Sequence, residues 1–290
     1  MEISASMVKD LREKTGAGMM DCKKALVETN GDMDKAIDYL REKGISKAAK
    51  KAERIAAEGL SNIYTNGNNA VVVELNSETD FVAKNAEFRE LLDTIGATIL
   101  EADVETLEDA LNLETGNGTI NDLVVAATAK IGEKISLRRF EKVTKEDNQV
   151  FGSYLHMGGK IASLTVCDGD KEDVAKDVAM QAAAMRPLYT NVESVPAEDV
   201  EHEKSVIKEQ VINEGKKPEF ADKIVEGRIR KFFEETVLEE QAFIKDSGVT
   251  VKAYLENNGS KLVKLVKFEV GEGMEKRNDN FAEEVMSQIK

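Results

Sequence analysis

The chain has 290 residues, 41% of them hydrophobic, and a net charge of −15. Its acidic excess falls in residues 59–290, because residues 1–58 carry 12 basic and 11 acidic side chains, and an acidic body disfavours general binding to nucleic-acid phosphates. No apolar run of about 18 residues predicts a membrane span, and no secretion or transit signal is evident, so we expect a cytoplasmic protein. The two cysteines and two histidines fit no metal-binding spacing, so we expect no metal or cofactor.

Residues 1–55 predict a bundle of three short helices. The helix-breaking sequence TGAG at residues 15–18 ends the first helix, the second spans residues 19–28, and the third ends at Gly44. An Ala/Lys-rich segment at residues 45–57 predicts a helical connector. A small bundle of this kind is similar to ubiquitin-associated modules, which usually bind partners, so we expect residues 1–55 to form a partner-binding domain.

The body predicts two related subdomains, residues 56–145 and 146–270, each ordered as a hairpin, a covering helix and a closing strand. In the first these segments are residues 60–64, 70–75, 87–100 and 135–143, with two shorter helices at 104–111 and 120–129 before the closing strand. In the second they are residues 150–156, 160–166, 171–185 and 261–270. Hairpins favour antiparallel sheets covered on one face by helices, so the predicted fold class is α+β.

An insertion at about residues 187–246 interrupts the second subdomain. Helical patterns at residues 197–213 and 220–242, joined by a sharp turn, predict an antiparallel helical hairpin. Such an arm packs on its own body or offers a surface to a partner, and self-association through it stays open. Residues 271–290 predict a C-terminal helical module, with an amphipathic helix at residues 280–289.

The most informative segment, NSETDFVAKN at residues 76–85, lies between a buried strand and an amphipathic helix. It sets Asp80 and Phe81 side by side at a strand-to-helix corner, where functional residues often occur. One interpretation is structural: Asp80 caps the helix and Phe81 forms a hydrophobic staple. The other is that the two side chains face a partner.

Motifs of the common enzyme classes are missing from the sequence, including the phosphate-binding loop, the nucleophile elbow and the dinucleotide-binding pattern. His156 follows a predicted strand and precedes two glycines, a position that is typical of a structural or surface histidine. The pair Met19 and Met20 suits either a core or an adaptable binding surface. The chain therefore looks like a binding protein and not an enzyme.

Six segments resemble motifs of bacterial elongation factor Ts, the full-length form. They are TGAGMMDCKKAL at residues 15–26, TDFVAKN at 79–85, AKIGE at 129–133, GSYLH at 152–156, VEGR at 225–228 and FEVGEG at 268–273. The matches follow the order of the family from end to end. The arm at residues 187–246 resembles the coiled-coil insertion of the full-length form.

This resemblance implies guanine-nucleotide exchange on elongation factor Tu, without covalent chemistry. In the family, the residues that match Asp80 and Phe81 intrude beside the Mg²⁺ site of the partner, which assigns Thr79, Asp80, Phe81 and Val82 to partner binding. Further contacts implied for the N-terminal helices and the second subdomain are Val8, Leu11, Met19, Met20, Lys23, Lys51 and His156. Two rival hypotheses are an adaptor that binds through its N-terminal bundle and an acid–base enzyme that uses His156.

Overall fold

The computed structural model describes residues 3–15, 17–215 and 218–275 and has the predicted α+β fold. Contacts divide this part of the chain into two compact units. Unit 1 contains the residues up to Asn66, Ala70–Lys142 and those from Phe268 onward, and unit 2 contains Gly67–Asn69 and Val143–Lys267. The finer division at residues 55, 145 and 270 stays a prediction.

The N-terminal bundle of unit 1 consists of α1 (Ala5–Thr15), α2 (Met19–Glu28) and α3 (Met33–Ala49). Its small core is made of the buried side chains Val8, Leu11, Cys22, Ala25, Leu26 and Ala36. Side chains before α1 and α3 cap the free N–H groups of the first turn, because Ser4 accepts a bond from Met7 N and Asp32 accepts one from Lys35 N. The predicted three-helix bundle is confirmed.

The rest of unit 1 is a three-stranded sheet covered by helices. Its strands are β1 (Glu58–Asn66), β2 (Asn69–Ser77) and β3 (Ser136–Thr144), in the order β1-β2-β3. Between β2 and β3 lie α4 (Asp80–Ala83), α5 (Ala86–Glu101), α6 (Leu107–Leu111) and α7 (Ile120–Ile131). Val71, Val73 and Leu75 of β2 pack with apolar residues of α5 and α7 in one continuous core, since alternate strand residues face the same side of a sheet.

Gly44 does not end the third helix, contrary to the sequence prediction. α3 continues to Ala49, and the residues from Lys50 to Ala57 are not helical, so most of the predicted helical connector is wrong. α3 packs along α7, and a Cβ on the buried Gly44 would lie 3.7 Å from the Cβ of Ala129. This tertiary contact outweighs the penalty of about 1 kcal/mol for glycine within a helix.

Unit 2 repeats the plan with β4 (Gln149–His156), β5 (Ile161–Asp168), α8 (Glu172–Met185) and β8 (Lys261–Glu269). The sheet order is β4-β5-β8, and β4 pairs antiparallel with β5 from Gln149 opposite Asp168 to His156 opposite Ile161. Val174, Ala175 and Val178 of α8 pack with Cys167 of β5 in the core of the unit. The second predicted hairpin, helix and closing strand are therefore confirmed.

The predicted arm is present as α9 (Ala197–Asn213) and α10 (Pro218–Thr236), which pack through Ile207, Val211, Ala221 and Val225. The second arm helix ends at Thr236 and not at residue 242. It is followed by a one-turn 3-10 helix (Leu238–Glu240), a small antiparallel pair, β6 (Ala242–Phe243) and β7 (Asp246–Thr250), and α11 (Val251–Asn257).

The reason for this early end is tertiary packing. Leu238 is fully buried, and Phe243 stacks on Tyr254 of α11 with 4.0 Å between ring centroids. Both Leu238 and Phe243 belong to the core of unit 2. The predicted helix at residues 280–289 lies outside the described residues. No helix within the described ranges is both long and apolar enough to cross a membrane.

Candidate functional site

The corner between β2 and α5 carries a short projecting segment, residues 79–82, called the tip below. Its four-residue helix α4 is capped by Thr79, whose Oγ1 accepts a bond from Val82 N at 3.5 Å, and Asn85 caps α5. Asp80 lies in the first turn of α4 and accepts a bond of 2.7 Å from Lys84 Nζ. The interpretation of Asp80 as a helix cap is therefore wrong.

Phe81 projects away from the protein. Its side chain is 79% exposed, and the nearby Lys84 ammonium lies 5.6 Å from the ring centroid. The next two residues face inward, because Val82 packs against the core of unit 1 and Ala83 is buried in it. Phe81 therefore does not staple the turn, and the tip is attached to the core while it presents an aromatic ring to solvent.

Glu133 holds the base of the tip. Its carboxylate accepts two bonds from Thr79, one from the backbone N at 3.0 Å and one from Oγ1 at 2.7 Å. Gly132, with a φ of 89°, ends α7 in the left-handed conformation that glycine adopts readily, and Glu133 follows it directly. Glu133 is not marked as functional by its local sequence, although it closes the AKIGE segment just after a helix-ending glycine.

A second link fixes the residue before the tip. Lys134 N donates to Glu78 Oε1 at 2.6 Å, and Arg54 Nη1 donates to the same oxygen at 3.3 Å. Lys134 Nζ also donates to the Ala52 carbonyl at 2.6 Å. The loop after α7 thus connects the tip to the segment that follows the N-terminal bundle.

Residues 78–272 match the family model described as elongation factor Ts, which is more than half of the chain. The chain belongs to the elongation factor Ts family. The matched region begins at the base of the tip and ends in the FEVGEG segment at residues 268–273. The family is one of nucleotide exchange factors for elongation factor Tu in translation elongation, and such factors are not enzymes of covalent chemistry.

Of the family contacts expected in the N-terminal segment, three are exposed and one is half-buried. Met19 and Met20 are 57% and 75% exposed, Lys23 is exposed, and Lys51 is half-buried. Val8 and Leu11 differ, because they lie in the core of the bundle and Leu11 has no exposed surface. Their role as partner contacts stays a prediction, and in this conformation both side chains pack inside the bundle. Apolar residues on a short helix support both assignments, and only packing separates core from surface.

A buried carboxylate anchors the FEVGEG segment within unit 1. Glu74 has no exposed surface, and it accepts bonds from Arg138 Nη1 at 3.0 Å, Arg139 Nε at 2.6 Å and Gly271 N at 2.9 Å. The Arg139 guanidinium also lies 4.2 Å from the ring centroid of Phe268. Sequence reasoning missed this site because Glu74 stands within the apolar run of β2.

His156 lies at the end of β4 in unit 2, half-buried and 6.1 Å from Tyr154 between ring centroids. Its neighbours Leu155 and Met157 are exposed. Met157, with a φ of 50°, starts the β4–β5 turn. Across the described ranges, no group of three or more His, Cys, Asp or Glu side chains is placed to hold a metal ion.

Proposed function

We propose that this chain binds elongation factor Tu with GDP, presses the tip against the Mg²⁺ and phosphate site of that GTPase and so promotes GDP release. The observation that carries the proposal is the 79% exposure of Phe81 on a four-residue helix with a fixed base. A large aromatic side chain held out in solvent has no role in the core of its own protein. Action in translation elongation implies a cytoplasmic protein.

The chemistry of the partner site explains how a small intrusion weakens nucleotide binding, although one wedge alone is not enough and several contacts must contribute. Mg²⁺ requires near-ideal octahedral geometry and bridges phosphate and protein oxygens. Burial of Phe81 in a partner pocket would supply roughly 1.5–3 kcal/mol, which is about a 10- to 150-fold change in nucleotide affinity if all of it is used for distortion. Asp80, already paired with Lys84, would bring negative charge near the metal and phosphates.

Other surfaces would hold the tip in place. Exposed Met19 and Met20 at the start of α2 offer an adaptable apolar contact, and Lys23 with Lys51 offers positive charge to an acidic partner helix. Binding free energies are reciprocal. If this chain lowers the affinity of elongation factor Tu for nucleotide, then bound nucleotide lowers the affinity of elongation factor Tu for this chain by the same factor. His156 would contact a different domain of the partner.

The decisive experiment measures release of labelled GDP from elongation factor Tu with and without this chain. We expect Phe81→Ala to slow the stimulated release about 10- to 150-fold, with a small change in thermal stability because the ring is mostly exposed. Leu188→Ala is a matched control, since Leu188 is 69% exposed and lies in unit 2. Unaltered release by Phe81→Ala would contradict the proposal and favour the adaptor hypothesis.

A further inference from the structure

We propose that Glu133 is a positioning residue for nucleotide exchange, which fixes the direction in which the tip presents Phe81. This inference rests on the function proposed above. Glu133 acts through Thr79, because its two carboxylate oxygens accept the Thr79 N–H and the Thr79 hydroxyl at 3.0 and 2.7 Å.

The Thr79 hydroxyl makes two bonds at once. It donates to Glu133 Oε1 and accepts from Val82 N, the cap of α4. Since the proton of the hydroxyl points at Glu133, a lone pair is left for the cap, and the rotation of the side chain is fixed from both sides. A carboxylate acceptor makes this a charge-assisted bond, which is stronger than a bond between neutral groups.

α4 needs this external support because it has only four residues. So short a helix is not stable by itself, since the first turn fixes several residues for a single hydrogen bond. Val82 and Ala83 hold its far side against the core of unit 1, and Glu133 holds the near side. Between these two attachments lie Asp80 and Phe81, the residues that face outward.

The attachment at Glu133 is doubled in a way that prevents rotation. Adjacent residues of the loop bind adjacent residues of the corner, because Glu133 accepts from Thr79 while Lys134 N donates to Glu78 at 2.6 Å. Two neighbouring contacts fix the orientation of the tip, whereas a single contact would allow the tip to rotate about it. The left-handed Gly132 at the end of α7 gives the loop the sharp turn that this geometry needs.

A rigid tip affects the speed of exchange more than the binding of the partner. The tip displaces groups of the partner's Mg²⁺ and phosphate site only if the tip deforms less than that site does. Functional groups that supporting contacts hold in the productive geometry are more effective than loosely held ones. Affinity also depends on the surfaces around Met19 and Met20, which Glu133 does not touch. Loss of Glu133 should therefore lower the maximal rate of GDP release and leave the half-saturating concentration of the factor unchanged.

The first test titrates Glu133→Gln against elongation factor Tu that holds labelled GDP. A glutamine keeps one acceptor oxygen, but its NH₂ group does not accept the second Thr79 bond, so we expect the maximal rate to fall roughly tenfold. Glu133→Ala should lower it further. Glu87→Gln is the matched control, because it removes the same charge nearby, from an exposed pair with Lys130, and should leave the rate unchanged.

A double-mutant cycle with Phe81→Ala separates this inference from the proposed function. If Glu133 acts only through the tip, Glu133→Gln should slow release less than twofold further once Phe81 is absent. Full additivity, or no effect of Glu133→Gln while Phe81→Ala slows release, would overturn the inference and leave the proposed function intact. No effect of Phe81→Ala would overturn both. Should Glu133→Gln fail to fold, Thr79→Val removes the hydroxyl bond to Glu133 directly and must also slow release, and an unchanged rate would overturn the inference.

Discussion

The sheet of unit 1 and the sheet of unit 2 share a hairpin, a covering helix and a closing strand, but they leave their second strand differently. In unit 2, Asp168 at the end of β5 is followed by a left-handed Gly169, and α8 begins at Glu172. In unit 1 the short helix α4 stands between β2 and α5 and carries the exposed Phe81. The common plan forms the core, and the added corner in one copy carries the candidate site.

The two units also bring helix and sheet together by different means. In unit 1 the small residue is on the helix, where Gly96 of α5 faces the Tyr64 ring of β1. In unit 2 it is on the strand, where Gly152 of β4 faces the backbone of α8 at Ala175. The hydroxyl of Thr165 bonds the Ala175 carbonyl at 2.8 Å across the same contact. A glycine is needed in both, but only unit 2 sets backbone against backbone.

The sharpest test of this difference is Gly152→Ala. An added Cβ would lie 2.1 Å from the Ala175 carbonyl carbon, so the helix backbone must move, and we expect a loss of about 3 kcal/mol or more in the free energy of unfolding. Urea denaturation of the full chain measures it. Gly227→Ala in α10 is the control, because among the described residues no atom outside the helix's own backbone lies within 4 Å of its added Cβ, and it should be neutral or stabilising by up to about 1 kcal/mol.

Glu74→Gln tests a second difference between the units. β2 buries the Glu74 carboxylate between two arginines. The equivalent residue of β5 is the apolar Val166, because each of the two precedes the last core-facing residue of its strand. Removing the charge leaves both guanidinium groups undercompensated, so we expect a loss of roughly 2–4 kcal/mol. Glu272→Gln breaks a half-exposed ion pair with the same Arg139 and should cost less than about 1 kcal/mol. Equal losses in the two variants would show that burial of Glu74 contributes nothing.

Gly96→Ala should have the smallest effect on stability of the three. The added Cβ would meet the Tyr64 ring at 2.0 Å, but a side chain yields more easily than a backbone, and alanine favours the helix. The ring is not free, because its hydroxyl donates to Asp93 at 2.8 Å and accepts from Asn62 at 2.9 Å. Burial, with the bond to Asp93, raises the pKa of Tyr64, so the hydroxyl keeps its proton and its bond to Asp93 into alkaline solution. We expect a loss of about 1–2 kcal/mol by thermal denaturation, and a loss as large as that of Gly152→Ala would remove the distinction.

Local patterns predicted most elements of both units. The bounds of α2 at residues 19–28 and of α9 at residues 197–213 agree with the prediction to the residue, because apolar spacing and the flanking breakers are local signals. The sequence also predicted that Asp80 and Phe81 lie side by side at a strand-to-helix corner. The sequence did not predict the small β6–β7 pair or α11, since elements of two, five and seven residues give too short a pattern.

The sequence by itself determined the fold class, the repeated plan of the two units, the arm and the family, because all of these depend on residue order and periodicity. Only the tertiary structure decided that Phe81 points outward, that Leu11 lies inside, that α3 continues through Gly44 and that Glu74 and Glu133 hold other segments in place. Each of these depends on a neighbour distant in sequence, such as Thr79 for Glu133 or Ala129 for Gly44. Burial and long-range hydrogen bonds are properties of the packed chain, and one-dimensional spacing does not encode which distant residue becomes the neighbour.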